Sequence, residues 1–211
     1  MIATDSKWRS SKSGSIAACK ILQVNKCFFL IVGLRYKPET HFDSTELEKK
    51  ACEFNGVIEE KVRFFAKAVR GPLRQALEYS RLHDSKVYRR DYLGKVVVQG
   101  IFVTRDIPKI ISESFVLMSS GKLKEEWIQI PNQAGNSIIS GVQEAIQRFR
   151  IQNPSWEDGR YIVETARKYL ELEITDKPQD VGPPVSILVI DRLVGPHWIE
   201  QGVCPGIEKA H

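Results

Sequence analysis

The sequence lacks the marks of several large protein classes. Its longest apolar runs, such as CFFLIVGL, are far shorter than the roughly 20 residues of a membrane-spanning helix. Residues 1–8 show no basic segment followed by an apolar core, so we predict no signal peptide. The GxSxG, P-loop and GxGxxG patterns are also absent, which argues against the commonest hydrolase and nucleotide-binding motifs.

Cysteine and histidine are scarce, with four of each in 211 residues. The cysteines, at positions 19, 27, 52 and 204, form no CxxC pair, and the histidines form no HxxxH pair. We therefore expect no zinc or other metal and no cofactor. Four cysteines in a chain of this length do not make a disulfide framework, so a reducing, cytoplasmic setting is the simpler interpretation.

The charge is basic overall but scattered along the chain. The net charge is +5 and the pI is about 9.0. Lys49 and Lys50 nevertheless sit among glutamates, and Arg89 and Arg90 are followed by Asp91. A nucleic-acid-binding protein more often gathers its cations on one helix or arm. The sequence therefore predicts neither a nucleic acid nor a membrane as partner.

The order of local patterns predicts an α+β protein. Two β-prone runs separated by Asn25 and Lys26 form the clearest hairpin. Two helices, three strands, two helices and a final apolar strand follow, and strands grouped apart from helices favour packed sheets with helices outside. We expect one domain over residues 1–211, with 200–211 as a loose tail. The predicted segments are strands at 18–24, 27–34, 95–104, 110–120, 125–131 and 184–192, and helices near 44–54, 57–82, 142–152 and 155–176.

The longest predicted helix has a regular apolar stripe. Ile58, Val62, Phe65 and Val69 recur at steps of four, three and four. The dipeptide at 71–72, Gly-Pro, is expected to bend or restart this helix. The preceding helix is expected to begin at a Ser-Thr-Glu sequence, positions 44–46, with serine as an N-cap.

Two possible catalytic patterns have simpler structural explanations. Ser119 to Lys122 matches SxxK, but that chemistry needs the serine at a helix start, and here it follows a strand. His83, Asp84 and Ser85 are triad residue types, yet neighbours in sequence do not form triad geometry on a helix. We predict a turn for the first and a helix C-terminus for the second.

Asp5 and Lys20 are the most suggestive polar residues. Asp5 ends a short apolar segment, and Lys20 lies among apolar residues of the next predicted strand. If these strands are neighbours, a buried Lys20 needs a partner that Asp5 can supply. Such a lysine can lower the pKa of a nearby nucleophile. Alternatively, Lys20 points to solvent from an edge strand, and the pattern does not decide between the two.

These segments, IATDSKW and CKILQVNKCFFLIVGL, resemble the opening of the proteasome β-type N-terminal-nucleophile (Ntn) hydrolases. DVGPPVSILVIDR and HWI are similar to that family's closing strands. The resemblance covers essentially the whole chain. It implies a four-layer αββα sandwich, in which two packed antiparallel sheets are flanked by helices.

The resemblance also implies roles for individual residues. Asp5 matches the family's structural and catalytic aspartate, and Lys7 matches the basic residue two places on. Lys20 matches the lysine that lowers the nucleophile's pKa, and Gly33 matches the glycine whose N–H serves the oxyanion hole. Ser137 matches, more loosely, the serine that supports the terminal amine.

The chain departs from the family at the nucleophile. The family's first strand begins with Thr, Ser or Cys, whereas this chain starts with Met1 about where the second strand lies. Val181 and Pro183 also stand where the family usually has serine and glycine. The family hydrolyses peptide or amide bonds with a threonine-type nucleophile, and we expect this chain, as written, to be inactive. Either it begins too late or it is a true non-catalytic relative.

The alternative function is a non-catalytic assembly protein that uses the same sandwich. The expected partners are other copies of the chain, in a dimer or ring, and possibly a peptide or amide substrate.

Overall fold

The computed structural model describes residues 2–5, 21–24, 27–34, 36–104, 109–130, 143–156, 162–178, 185–191 and 194–200. The strands are β1 (Ile2–Asp5), β2 (Ile21–Val24), β3 (Cys27–Gly33), β4 (Tyr36–Lys37), β5 (Phe42–Asp43), β6 (Lys95–Thr104), β7 (Ile110–Leu117), β8 (Leu123–Ile130), β9 (Val185–Asp191) and β10 (Gly195–Glu200). The helices are α1 (Ser44–Glu53), α2 (Ile58–His83), α3 (Ser85–Val87), α4 (Glu144–Gln152) and α5 (Ile162–Asp176). The last residues, 201–211, lie outside the described part.

The strands form antiparallel sheets, which confirms the α+β class. One sheet has five strands in the order β2-β3-β6-β7-β8, and another has three in the order β1-β9-β10. A small hairpin, β4-β5, stands apart. In the predicted first hairpin, Val24 lies opposite Cys27, so the two-residue spacing between the strands is confirmed.

The two strands β1 and β2 were considered as possible neighbours, but they belong to different sheets. β1 pairs with β9, where Asp5 lies opposite Val185, whereas β2 pairs with β3 in the five-stranded sheet. The sequence suggested adjacency because the two segments follow one another in the chain. Pairing of β1 with a strand some 180 residues later depends on the packing of the whole chain and leaves no local pattern.

Helix α2 covers one face of the five-stranded sheet with the predicted stripe. All four stripe residues are buried, and Phe65 packs edge-on against Phe102 of β6 and Phe115 of β7, with ring centroids 5.4 and 6.5 Å apart. These aromatic contacts join the helix to the adjacent strands β6 and β7.

Gly71-Pro72 does not restart the helix, since α2 runs without interruption from Ile58 to His83. Proline removes one helical hydrogen bond, and its ring normally clashes with the Cβ of the preceding residue. Gly71 has no Cβ, which removes that clash. Val69 and Leu73, on either side, are fully buried and hold the helix against the sheet.

The N-cap of helix α1 lies one residue earlier than predicted. Asp43, not Ser44, is the N-cap, and its Oδ1 accepts a hydrogen bond from the Glu46 amide at 3.1 Å. Ser44 is buried instead, and its Oγ donates to the carbonyl of Leu34 at 3.0 Å. The start of α1 is therefore attached to the residue that follows β3.

The other end of α1 is attached to the start of β3 by a disulfide between Cys52 and Cys27. Both residues are buried in the core between helix and sheet. Spacing gave no sign of this bond, because its partners are 25 residues apart and meet only after α1 packs on the sheet. It does not favour the reducing compartment inferred from the cysteine spacing.

Central strands of both larger sheets are buried on both faces. In β7 every residue from Ile111 to Phe115 is buried, and in β9 the consecutive residues Ser186, Ile187 and Leu188 are buried. Successive side chains of a strand point to opposite faces. The two sheets are therefore covered on both sides at β7 and at β9.

Helices α4 and α5 pack on each other, and α5 lies beside β1 and β9. The Glu173 carboxylate of α5 is buried and accepts a hydrogen bond from the Ile146 amide in the first turn of α4. α4 has no capping side chain of its own at Gln143, so α5 satisfies this helix end. Among the described residues, no helix is long and apolar enough to cross a membrane.

Candidate functional site

Of the four supporting residues predicted from the resemblance, the structure describes the surroundings of one. Asp5 is the last residue of β1, and its backbone pairs with Val185, while the position of its side chain is not described. Lys20 and Ser137, like Lys7, lie outside the described residues. The proximity of Asp5 and Lys20 therefore stays a prediction.

Gly33 occupies a position that only glycine fills without strain. It ends β3, pairs with Val98 and has a φ of +95°. A Cβ built on Gly33 would lie 2.3 Å from the carbonyl oxygen of Val97. Both the left-handed backbone and the close approach of β6 require the absence of a side chain. Gly33 is also exposed.

The residues around Gly33 hold this strand end firmly. The amide of Leu34 donates to the carbonyl of Val97 at 2.7 Å, and the carbonyl of Leu34 accepts from Ser44. The bond from Ser44 places the first turn of α1 directly beside the end of β3. A backbone group fixed in this way is preorganised, as an oxyanion hole requires.

A buried polar row lies next to this strand end, on the face of the sheet away from α2. Gln99 lies opposite Ser114, and Gln99 Nε2 donates to Ser112 Oγ at 2.8 Å. All three residues are buried. Gln99 also lies opposite Val32, the residue before Gly33, so the row continues from the strand end toward the sheet centre.

A titratable carboxyl occupies the opposite face, toward α2. Glu113 lies on the same face of β7 as Ile111 and Phe115, and it is 3% exposed. The pKa of Glu113 is raised to about 7, mainly by burial and also by the Glu125 carboxylate, while the Arg70 guanidinium opposes the rise. Arg70 itself is bound to Glu125, with Nε 2.5 Å from Oε1.

The two alternative catalytic patterns have the structural roles expected of them. Ser119 lies in the turn that joins β7 to β8, where the Met118 amide donates to the Lys122 carbonyl at 2.8 Å. His83 is the last residue of α2 and stacks on Tyr79 at 4.1 Å. Within the described ranges, no group of three or more His, Cys, Asp or Glu side chains could hold a metal ion.

A scan of protein-family models found no match, and searches of curated proteins and of solved structures found no significant similarity. The functional argument therefore rests on the sequence pattern and on the geometry described above.

Sequence reasoning did not identify the polar row or Glu113. The pattern IISESFVL in β7 alternates serine with larger side chains, which is typical of a strand with one solvated face. Both faces of the strand are covered, so the serines are internal. The neighbouring strand KVVVQGIFVT carried the only hint, because its almost continuous apolar pattern indicates burial on both faces.

Proposed function

We propose that this chain is a proteasome-like member of the Ntn-hydrolase family with the four-layer αββα sandwich, and that the chain as written does not itself hydrolyse peptide bonds. The observation that carries the proposal is the burial of both faces of the central strands. Helices α1 and α2 account for one face of the five-stranded sheet, and α5 lies against the three-stranded sheet.

The other face of each larger sheet must also be packed against part of the protein. These faces carry buried residues of both kinds, apolar such as Ile101 and polar such as Ser112. Stacking of the two sheets on each other would cover both faces at once and would complete the four layers. It would also bring the end of β1, with Asp5, toward the face that carries the polar row.

Gly33 supports the same family role. Its position at the end of β3, its left-handed backbone and its exposure are what a backbone donor to an oxyanion needs. The family's activity also needs an N-terminal nucleophilic hydroxyl or thiol. Supporting residues in a chain without such a nucleophile would make a binding or assembly domain rather than a hydrolase.

The experiment combines a stability cycle with a covalent probe. Asp5→Asn, Lys20→Met and the double variant are compared by urea unfolding. Contact between the two side chains predicts a coupling free energy of about 1 kcal/mol or more, whereas distant residues give additive effects within about 0.5 kcal/mol. Additivity would remove the family assignment.

The probe tests catalysis separately. The intact protein is treated with a peptide epoxyketone, which reacts with an N-terminal nucleophile, and its mass is measured. We expect an unmodified chain that retains Met1, alongside labelling of an active proteasome as positive control. An adduct on an N-terminal Thr, Ser or Cys would show that the chain is an active hydrolase.

Assembly is the second candidate role, and the outer strand β8 favours it. Trp127 and Ile128 are adjacent in β8 and both are exposed, so large apolar side chains stand on both faces of this strand. Among the described strands β8 pairs only with β7. A strictly monomeric mass by light scattering would count against self-association.

A further inference from the structure

The outer surface of α2 carries a row of cations that the linear sequence conceals. The spacing of four, three, four and seven residues places five cationic side chains on one side of the helix. All five residues are exposed. At 1.5 Å per residue the row is about 27 Å long. We call it the basic stripe, and it consists of Arg63, Lys67, Arg70, Arg74 and Arg81.

This stripe corrects the expectation of scattered charge. In the sequence its members are separated by two to six residues, several of them apolar and buried, so no run of basic residues appears. Helical periodicity sorts the apolar residues toward the sheet and the cations toward solvent. The clustered positive face that the sequence did not show is therefore present.

Two members of the stripe are already neutralised within the protein. Arg70 binds Glu125 through two hydrogen bonds, of 2.5 and 2.7 Å, and Arg81 binds Glu78 one turn earlier. For Lys67, Arg63 and Arg74 the described part of the chain contains no salt bridge. Three cations thus remain to attract an anionic partner.

An apolar patch adjoins the N-terminal end of the stripe. We define it as Phe54, Val57 and Phe64, all of them exposed. The rings of Phe54 and Phe64 stack with their centroids 5.1 Å apart, and Phe64 is next to Arg63 in the sequence. The patch is held in place because Lys61 Nζ donates to the carbonyls of Cys52, at 2.6 Å, and of Phe54. An exposed, ordered apolar patch is typical of an interaction site.

We propose that the basic stripe and the apolar patch together bind one segment of a partner protein. This segment is acidic and has large apolar side chains at one end. Symmetric pairing of this surface with the same surface of a second copy is disfavoured, because Lys67 and Arg74 would meet like charges. A nucleic acid is disfavoured by number, since three available cations are few beside the roughly six to ten phosphate contacts of strong binders. An acidic segment with apolar ends matches both parts of the surface.

The test uses a fluorescein-labelled peptide of about 20 residues, long enough to span the stripe as a helix. It carries glutamates at helical spacing and two leucines at one end. Binding to the full chain is followed by fluorescence anisotropy at low salt. Paired substitution Lys67→Glu with Arg74→Glu is expected to weaken binding by roughly tenfold or more. Replacing the leucines by serine is expected to weaken binding by roughly threefold or more.

A matched control separates the stripe from net charge. Lys49→Glu with Lys86→Glu changes the net charge equally on exposed residues of α1 and α3. This pair is expected to change the affinity by less than roughly threefold, since distant exposed charges are screened. Lys67→Gln with Arg74→Gln provides a milder test if charge reversal prevents folding.

Three outcomes would overturn the proposal. One is equal weakening by the stripe variant and the control, which would indicate nonspecific attraction. Another is tighter binding of a single-stranded DNA of about 20 nucleotides than of the peptide, which would assign the surface to nucleic acid. The third is no measurable binding of the acidic peptide at low salt.

Discussion

Glu113 offers a sharp test of the packing between α2 and the five-stranded sheet. The residue is almost fully buried on the side of β7 that faces α2. Its pKa lies near 7 because burial disfavours the charged form, and because the Glu125 carboxylate adds repulsion that exceeds the help from Arg70. The informative substitution is Glu113→Gln, which keeps the size of the side chain and removes its ability to ionise.

The sign of the pH effect follows from the two pKa values. In the unfolded chain the pKa of Glu113 returns to the model-peptide value of 4.5. The folded state therefore holds the proton more tightly, and stability from this residue is greatest below pH 4.5 and falls until about pH 7. The difference of about 2.5 between the pKa values corresponds to about 3 kcal/mol.

Urea unfolding at several pH values measures this contribution. We expect the free energy of unfolding of Glu113→Gln, relative to the natural chain, to rise by about 3 kcal/mol between pH 4 and pH 8. Glu78→Gln is the matched control on the surface of α2. The Arg81 hydrogen bond lowers the pKa of Glu78, so its variant should show a small trend of opposite sign.

A flat difference between Glu113→Gln and the natural chain across this pH range would refute the reasoning. It would mean that Glu113 ionises with an ordinary pKa in the folded protein. Water, or the Arg70 guanidinium, would then reach the carboxylate, and the close packing of α2 against β7 described above would be incorrect.

Two further predictions concern the strand β3 and its attachments. Replacing Cys27 and Cys52 by alanine should lower the free energy of unfolding by about 3 kcal/mol, because the disulfide closes a long loop in the unfolded chain. A reducing agent should lower the urea midpoint of the natural chain and leave that of the double variant unchanged, and equal midpoints for the natural chain with and without reductant would contradict the bond. Gly33→Ala should cost about 3 kcal/mol or more, since the new Cβ is both in a left-handed conformation and in contact with the Val97 carbonyl. Gly94→Ala, at a φ of +75° but without a close backbone neighbour, should cost only about 1 kcal/mol in the same urea assay, and equal losses at the two glycines would exclude the clash.

Local patterns account for what could be predicted of the fold. The hairpin of β2 and β3, the three consecutive strands β6 to β8 and the stripe of α2 depend on residues a few positions apart. Their signals are alternation, turn residues and helical spacing. The sequence left open whether the helix restarts at Pro72, because propensity ignores the burial of Val69 and Leu73.

Long-range pairing accounts for what could not be predicted. Neither the partner of β1 nor the bond between Cys27 and Cys52 leaves a trace in neighbouring residues. For the candidate site, glycine at position 33 was recognisable through the resemblance alone, and its backbone geometry required the structure. Glu113 looks like an ordinary surface glutamate in sequence, because nothing local indicates that both faces of β7 are covered.

The order in which the two larger sheets can form follows from where their strands lie in the chain. The five-stranded sheet and its covering helices come from residues 21–130, a continuous segment joined by short connections. The three-stranded sheet needs residues 2–5 together with residues 185–200. While the chain is still emerging from the ribosome, the first half can fold and β1 must wait without a partner. The strand that ends in Asp5 is therefore synthesised first and pairs with its neighbour last.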